Sequence, residues 1–209
     1  MATSNSQSLP FLYISGDPAL DLVNTVDWTE HGPVNDRLPD FDRLTRWAEE
    51  AGLIDHETAA GLRSGGSTHP KEAQSAHRSA MRARSVLKEL FSAIARGEAI
   101  VDQLADFNRL LGPSLERLQV VQVGERDRSL RFGWEKLGES LESILWPVLW
   151  SAASLLVSAE VGQIRICGGK DCGWMYVDRS RNRLRRWCQM ETCGTREKTR
   201  RRYLRAGRR

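Results

Sequence analysis

Cysteine is absent from the first 166 residues of this 209-residue chain, and histidine does not occur after His77. The four cysteines, Cys167, Cys172, Cys188 and Cys193, crowd into a 27-residue window. Long apolar runs are also missing. The longest stretch without a charge, Ser143 to Ala159, is 17 residues long and holds Pro147 and four serines. It reads as a buried helix rather than a membrane span. Residues 1–10 carry no charged side chain, and the apolar run from Phe11 to Ile14 is too short for a secretion signal. Together these absences predict a cytoplasmic protein without membrane association. In a reducing compartment, clustered thiols are metal ligands rather than disulfides. No glycine-rich phosphate loop, Gly-x-Ser-x-Gly elbow or metal-spaced histidine pair occurs. No catalytic residue is therefore assigned, and the chain is not expected to be an enzyme.

Acidic residues are scarce at one end. From Arg165 onward there are fifteen Lys/Arg against four Asp/Glu, whereas residues 1–164 hold sixteen against twenty-three. The net charge of +4 conceals this split. A basic segment joined to an acidic body predicts a module that meets a polyanion.

What is present in the body is helical periodicity. The reading is a disordered leader over 1–10 and a mainly α-helical domain over 11–162. A basic four-cysteine module follows over 163–209. Helices are predicted over Pro18–Trp28, Asp40–Ala51, Asp55–Leu62, His69–Arg96, Ile100–Leu111 and Leu141–Glu160, from apolar spacing and from caps such as Asp17, Asp55 and Gly97. Pro147 should kink the last of these or start it anew. Thr29–Pro39 and Ser64–Thr68 read as loop and break. Leu118–Val123 and Ser129–Trp134 should pair as a hairpin across Gly124–Arg128.

The spacing Cys167-x4-Cys172-x15-Cys188-x4-Cys193 suits a tetrahedral, all-thiolate Zn²⁺. Each short pair turns back on itself, and the insert brings the second pair to the other side of the ion. Arg165-Ile166 and Trp174–Val177 are predicted as strands of a hairpin knuckle. The second pair opens a basic helix over roughly Met190–Leu204, whose N-terminus favours anionic sulfur. Four thiolates close the coordination shell, so the single zinc is read as structural.

These residues, from Cys167 through Trp187 to Cys193 and Lys198, resemble the CGNR zinc finger of bacterial proteins. Thr195 stands where the Cys-Gly-Asn-Arg signature has Asn. The stretch Gly16-Asp17-Pro18-Ala19-Leu20-Asp21-Leu22-Val23-Asn24-Thr25 resembles the ABATE domain that accompanies this finger. The resemblance implies a stress-response transcription regulator with a treble-clef-like, DNA-binding finger and an N-terminal domain that senses a small molecule.

Arg181, Arg183, Arg185, Arg186, Arg196, Lys198, Arg200 and Arg201 are the candidate nucleic-acid contacts. Guanidinium suits phosphate and guanine edges, and a zinc-pinned helix mounts it rigidly. Residues 203–209 read as a frayed end. Trp187 and Tyr176 read as the core of the module. Asp21, Asn24, Thr25 and Trp28 are the candidate ligand pocket. Trp146 and Trp150 read as core packing. Composition alone leaves DNA and RNA unseparated, and the resemblance favours DNA. An acidic protein partner is the rival for the basic face, and an N-terminal enzyme acting on a small molecule is a second rival. Oligomeric state is left open, with a homodimer among the options.

Overall fold

The computed structural model describes residues 9–124 and 129–206. Most of the expected leader, and residues 125–128 of the expected turn, lie outside the described residues. Leu9 and Pro10 are within them. Their carbonyls accept from Arg43 Nη2 at 2.7 Å and Arg37 Nε at 3.1 Å, so these two are pinned to the body rather than part of a free leader.

The first helix, α1 (Pro18–Val23), starts where Asp17 caps it, accepting from Ala19 N at 2.8 Å, with Pro18 in the first turn. It ends five residues earlier than the spacing predicts. Thr25 Oγ1 donates to the Leu22 carbonyl at 2.6 Å and turns the chain. Three-residue strands β1 (Asp27–Thr29) and β2 (Gly32–Val34) then pair antiparallel, Trp28 opposite Pro33; β1 takes the end of the expected helix and β2 falls inside the expected loop. Helix α2 (Phe41–Glu50) is capped by Asp40, and α3 (His56–Thr68) by Asp55.

The predicted break at Ser64–Thr68 is helix instead. A β-carbon on Gly66 would sit 2.9 Å from the Phe41 ring, so glycine serves the close approach of α3 to α2 rather than a turn. Helix α4 (Pro70–Arg96) ends at Gly97, whose φ of +70° closes it in the left-handed conformation. Helix α5 (Val101–Leu115) runs through Pro113 in its final turn, where a missing donor costs one helical bond. Strands β3 (Leu118–Gln122) and β4 (Leu130–Trp134) form the expected hairpin, Val120 opposite Phe132. Leu141–Leu145 is a 3₁₀ turn, and α6 (Trp146–Leu156) restarts with Pro147 in its first turn. Trp150 packs against Phe132, ring centroids 4.9 Å apart.

Helix α4 is the axis of the body. Its buried stripe, Ala73, Ala76, Ala80, Ala83, Leu87 and Leu90, begins with small side chains. They allow α1, α2 and α3 to pack closely along it, and α5 and strand β5 (Ile164–Ile166) pack on it as well. Each fully buried leucine contributes roughly 1.5–3 kcal/mol. Strand β6 (Met175–Val177) pairs antiparallel with β5. Ile164, Met175 and Val177 belong to the same apolar cluster as α1 and α4. The predicted boundary at 162/163 thus immediately precedes a hairpin that completes the helical core. A single π-helical turn, Met190–Gly194, leads into α7 (Thr195–Ala206). The molecule is mainly α-helical with small antiparallel hairpins and a C-terminal zinc finger. Among the described residues, no helix is long and apolar enough to cross a membrane.

Candidate zinc centre and basic surface

Cys167 follows β5, and Cys172 lies three positions before β6. The two form the knuckle of that hairpin, closed by Cys167 N donating to the Trp174 carbonyl at 2.8 Å. Cys188 and Cys193 come from the chain leading into, and within, the π-helical turn. All four Sγ atoms lie within 4.8 Å of one another, with Cys172–Cys188 at 3.9 Å and Cys188–Cys193 at 3.6 Å. Four ligands about 2.3 Å from Zn²⁺ in a tetrahedron place their sulfurs about 3.8 Å apart, so the cluster fits the ion.

The surroundings suit thiolate. Cys167 Sγ accepts from Cys188 N at 3.2 Å and Gly169 N at 3.4 Å, and Cys193 Sγ accepts from Arg196 Nη2 at 3.4 Å. Contact with its two neighbouring thiols, Cys172 first, draws the Cys167 pKa down to about 2; the same contact pushes Cys172 up to about 12 and Cys188 upward too. Thiols packed this closely cannot all ionise by themselves, and a divalent cation removes the conflict. The protein holds one structural zinc, with four sulfurs and no open position.

The knuckle is stitched to the helical body through polar groups. Asn24 bonds both backbone groups of Met175: Nδ2 donates to its carbonyl at 2.8 Å, and Oδ1 accepts from its N–H at 2.9 Å. Trp174 Nε1 donates to the Val26 carbonyl at 3.0 Å, and Gly173 N to the Trp28 carbonyl at 2.8 Å. Lys88 Nζ, from α4, donates to the Gly173 carbonyl at 2.7 Å. Burial lowers its pKa to about 8. A side chain at Gly173 would meet Trp28 Cβ at 2.7 Å, so this approach requires glycine.

The family comparisons cover almost the whole described length. Residues 16–159 match ABATE, described as a "putative stress-induced transcription regulator", and residues 163–206 match the CGNR zinc finger. The chain belongs to the ABATE family. No curated protein matches it. Both families are regulatory or zinc-finger in character rather than enzymatic. Thr195, which replaces the signature Asn, donates through Oγ1 to the Met190 carbonyl at 3.2 Å and so fastens the π-helical turn to the start of α7.

Within this ABATE protein the predicted nucleic-acid residues divide into four groups. Arg185 is built into the fold. It lies over the Tyr176 ring and donates to the carbonyls of Trp187 at 2.9 Å, Ile14 at 3.3 Å and Cys188. Arg200 and Arg201 are exposed but share Glu197, which the Arg200 contact holds at a pKa of about 2. Arg196 is exposed and touches Cys193 and the Lys170 carbonyl. Arg181, Arg183, Arg186 and Lys198 are exposed, with Arg186 over the Trp187 ring. Tyr176 and Trp187 pack with the cysteines, and the phenol of Tyr176 donates to the Arg185 carbonyl at 2.7 Å.

The four candidate pocket residues do not share one cavity. Asp21 accepts from Ser15 N at 3.1 Å and is buried, which raises its pKa to about 6. Asn24 is engaged with Met175. Thr25 Oγ1, besides its bond to Leu22, accepts from Arg84 Nη1 at 2.9 Å. Trp28 donates to the Val23 carbonyl at 2.7 Å, yet its flank lines a cleft of about 420 Å³. That cleft lies between the ABATE body and the finger. Asp27, Trp28 and Arg37 line one side, and Trp174, Gln189 and Arg196 the other. Arg37 was not singled out by its sequence context. It is buried, pairs with Asp27 at 2.9 Å and sits over the Trp174 ring.

Proposed function

We propose that this ABATE protein is a transcription regulator whose zinc finger binds DNA, with the exposed cations of α7 and of the loop before it as the contact surface. The exposure of α7 carries this reading. Of its twelve residues only Glu197 is buried, and everything from Lys198 to Ala206 faces solvent. A helix without a buried apolar stripe gains little from its own protein and is stabilised by what it meets. Here six of its side chains are Lys or Arg, so a polyanion is the matching partner.

The test is titration of the zinc-loaded protein against labelled duplex DNA and against RNA of the same sequence, between about 50 and 300 mM salt. Affinity for duplex DNA should fall steeply with salt. Replacing Arg196, Arg200 and Arg201 together by Gln should weaken binding at least about tenfold and flatten the salt slope. Arg185 is left out of that set because it holds the finger together. Unchanged affinity in the triple variant removes α7 from the interface, and preference for an acidic protein over both nucleic acids overturns the reading.

The same reading places an effector in the cleft between body and finger rather than among the helices. The support is the lining: Trp28 and Trp174 offer flat apolar faces and the exposed Arg196 a cation, beside Arg37, which Asp27 already pairs, and the zinc ligands Cys172, Cys188 and Cys193, so a small planar molecule is the matching ligand.

A further inference from the structure

The segment between β6 and Cys188 is irregular, dense in arginine, and yet closely held. Asp178 is fully buried at its start. Its carboxylate accepts from Ser180 N at 3.0 Å, Ser180 Oγ at 2.6 Å and Arg185 N at 3.0 Å. Ser180 Oγ in turn accepts from Leu184 N at 3.2 Å, and Arg183 N donates to the Ser180 carbonyl at 3.0 Å. Arg183 adopts a φ of +51°, the left-handed conformation that tightens the turn. Arg185 clamps the far end. One carboxylate and one guanidinium thus fix the shape of residues 180–185.

On this held loop the apolar residue points outward. Leu184 is 75% exposed, between Arg183 and the clamp Arg185, with Arg181 and Arg186 also exposed. Leu184 shares a groove with Trp187 and Met190, which is itself 51% exposed. That groove connects the loop to the turn leading into α7. An exposed leucine on a mobile tail would need no explanation. Fixed between arginines by the buried Asp178 and the half-buried Arg185, it needs one.

Arginines beside an apolar wedge are the side-chain set that suits the minor groove of duplex DNA. There the narrow groove concentrates negative potential, and leucine or methionine enters a base step and unstacks it. We infer that the 180–187 loop enters the minor groove, with Arg181 and Arg183 reading its potential and Leu184 wedged into a base step, bending the duplex. This inference rests on the DNA-binding reading above, since it names the groove that the finger takes.

The experiment uses the full-length, zinc-loaded protein and a duplex carrying a donor and an acceptor dye at its two ends. The native protein should raise energy transfer on binding, and a minor-groove polyamide should displace it. Leu184→Ala should abolish the rise and weaken affinity about tenfold, while leaving the salt slope and zinc content unchanged. Leu184→Met should restore the bend. Because Leu184 is exposed, the Ala variant should melt with the native protein, and the Met variant guards the result if it does not. The inference is overturned if the native protein binds DNA but Leu184→Ala bends it equally. It is also overturned if the polyamide fails to compete, or if single strands bind more tightly than duplex. Absence of all DNA binding by the native protein would sink the parent reading itself, an outcome distinguishable from these.

Discussion

At the scale of single residues, the same side-chain type has been put to opposite uses. Asp178 and Asp21 are both buried carboxylates. Asp178 is given three donors and its pKa lies below the usual range, whereas Asp21 has the Ser15 amide and sits at about 6. The sign of the consequence follows. A carboxyl group whose folded pKa is raised stabilises fully below its unfolded value near 4, and that contribution is lost as pH climbs through 6. Asp21→Asn should therefore gain on the native protein as pH rises, by about 1 kcal/mol between pH 5 and pH 7. Urea unfolding of both proteins across that window checks this, and parallel curves would refute it.

Residue roles were unevenly legible. The zinc ligands stood out because chelation fixes both residue type and spacing. Arg185 did not stand out from Arg181 or Arg183, since charge is visible in a sequence and a guanidinium's partners are not. Asn24 looked like a pocket residue for the same reason: its partner, Met175, is 151 positions away.

At the scale of elements, α4 and α2 could be read from spacing and caps because their apolar stripes are regular. The β1–β2 hairpin could not, since three-residue strands carrying Gly32 and Pro33 give no periodicity. The extension of α3 was hidden by glycines that signal a break in sequence but close packing in space. The basic helix was foreseen, and its lack of a buried face has a measurable result. Backbone amides from Lys198 to Ala206 should exchange with deuterium at nearly unprotected rates in the free protein and slow markedly with duplex DNA bound. Amides of α4 should be slow in both. Protection of α7 in the free protein would show that a partner surface within this chain had been overlooked.

At the scale of the whole molecule, the predicted separation into body and finger meets a shared core. Ile164, Met175 and Val177 fill the helical cluster, and Asn24, Val26, Trp28 and Lys88 receive the knuckle. Removing zinc should loosen the knuckle, and with it the hold of Asn24 on the two Met175 backbone groups. Each buried group left unpaired costs about 1–3 kcal/mol. Chelation should therefore lower the melting temperature of the α4 core itself, not only that of the finger, and a fragment ending at residue 162 should be less stable than the intact chain. Calorimetry with and without chelator reads this directly. Two independent transitions, the first alone sensitive to zinc, would restore the picture of separable domains.

The paired bonds between Asn24 and Met175 also bear on inheritance. A zinc finger that met its neighbouring domain only through a linker could be traded between proteins freely. Here the finger's hairpin is a wall of the helical body, and a graft of this finger onto an unrelated body would leave Met175 facing nothing that fits it. Exchange should succeed only when Asn24, which caps α1, and the β5–β6 hairpin are moved together.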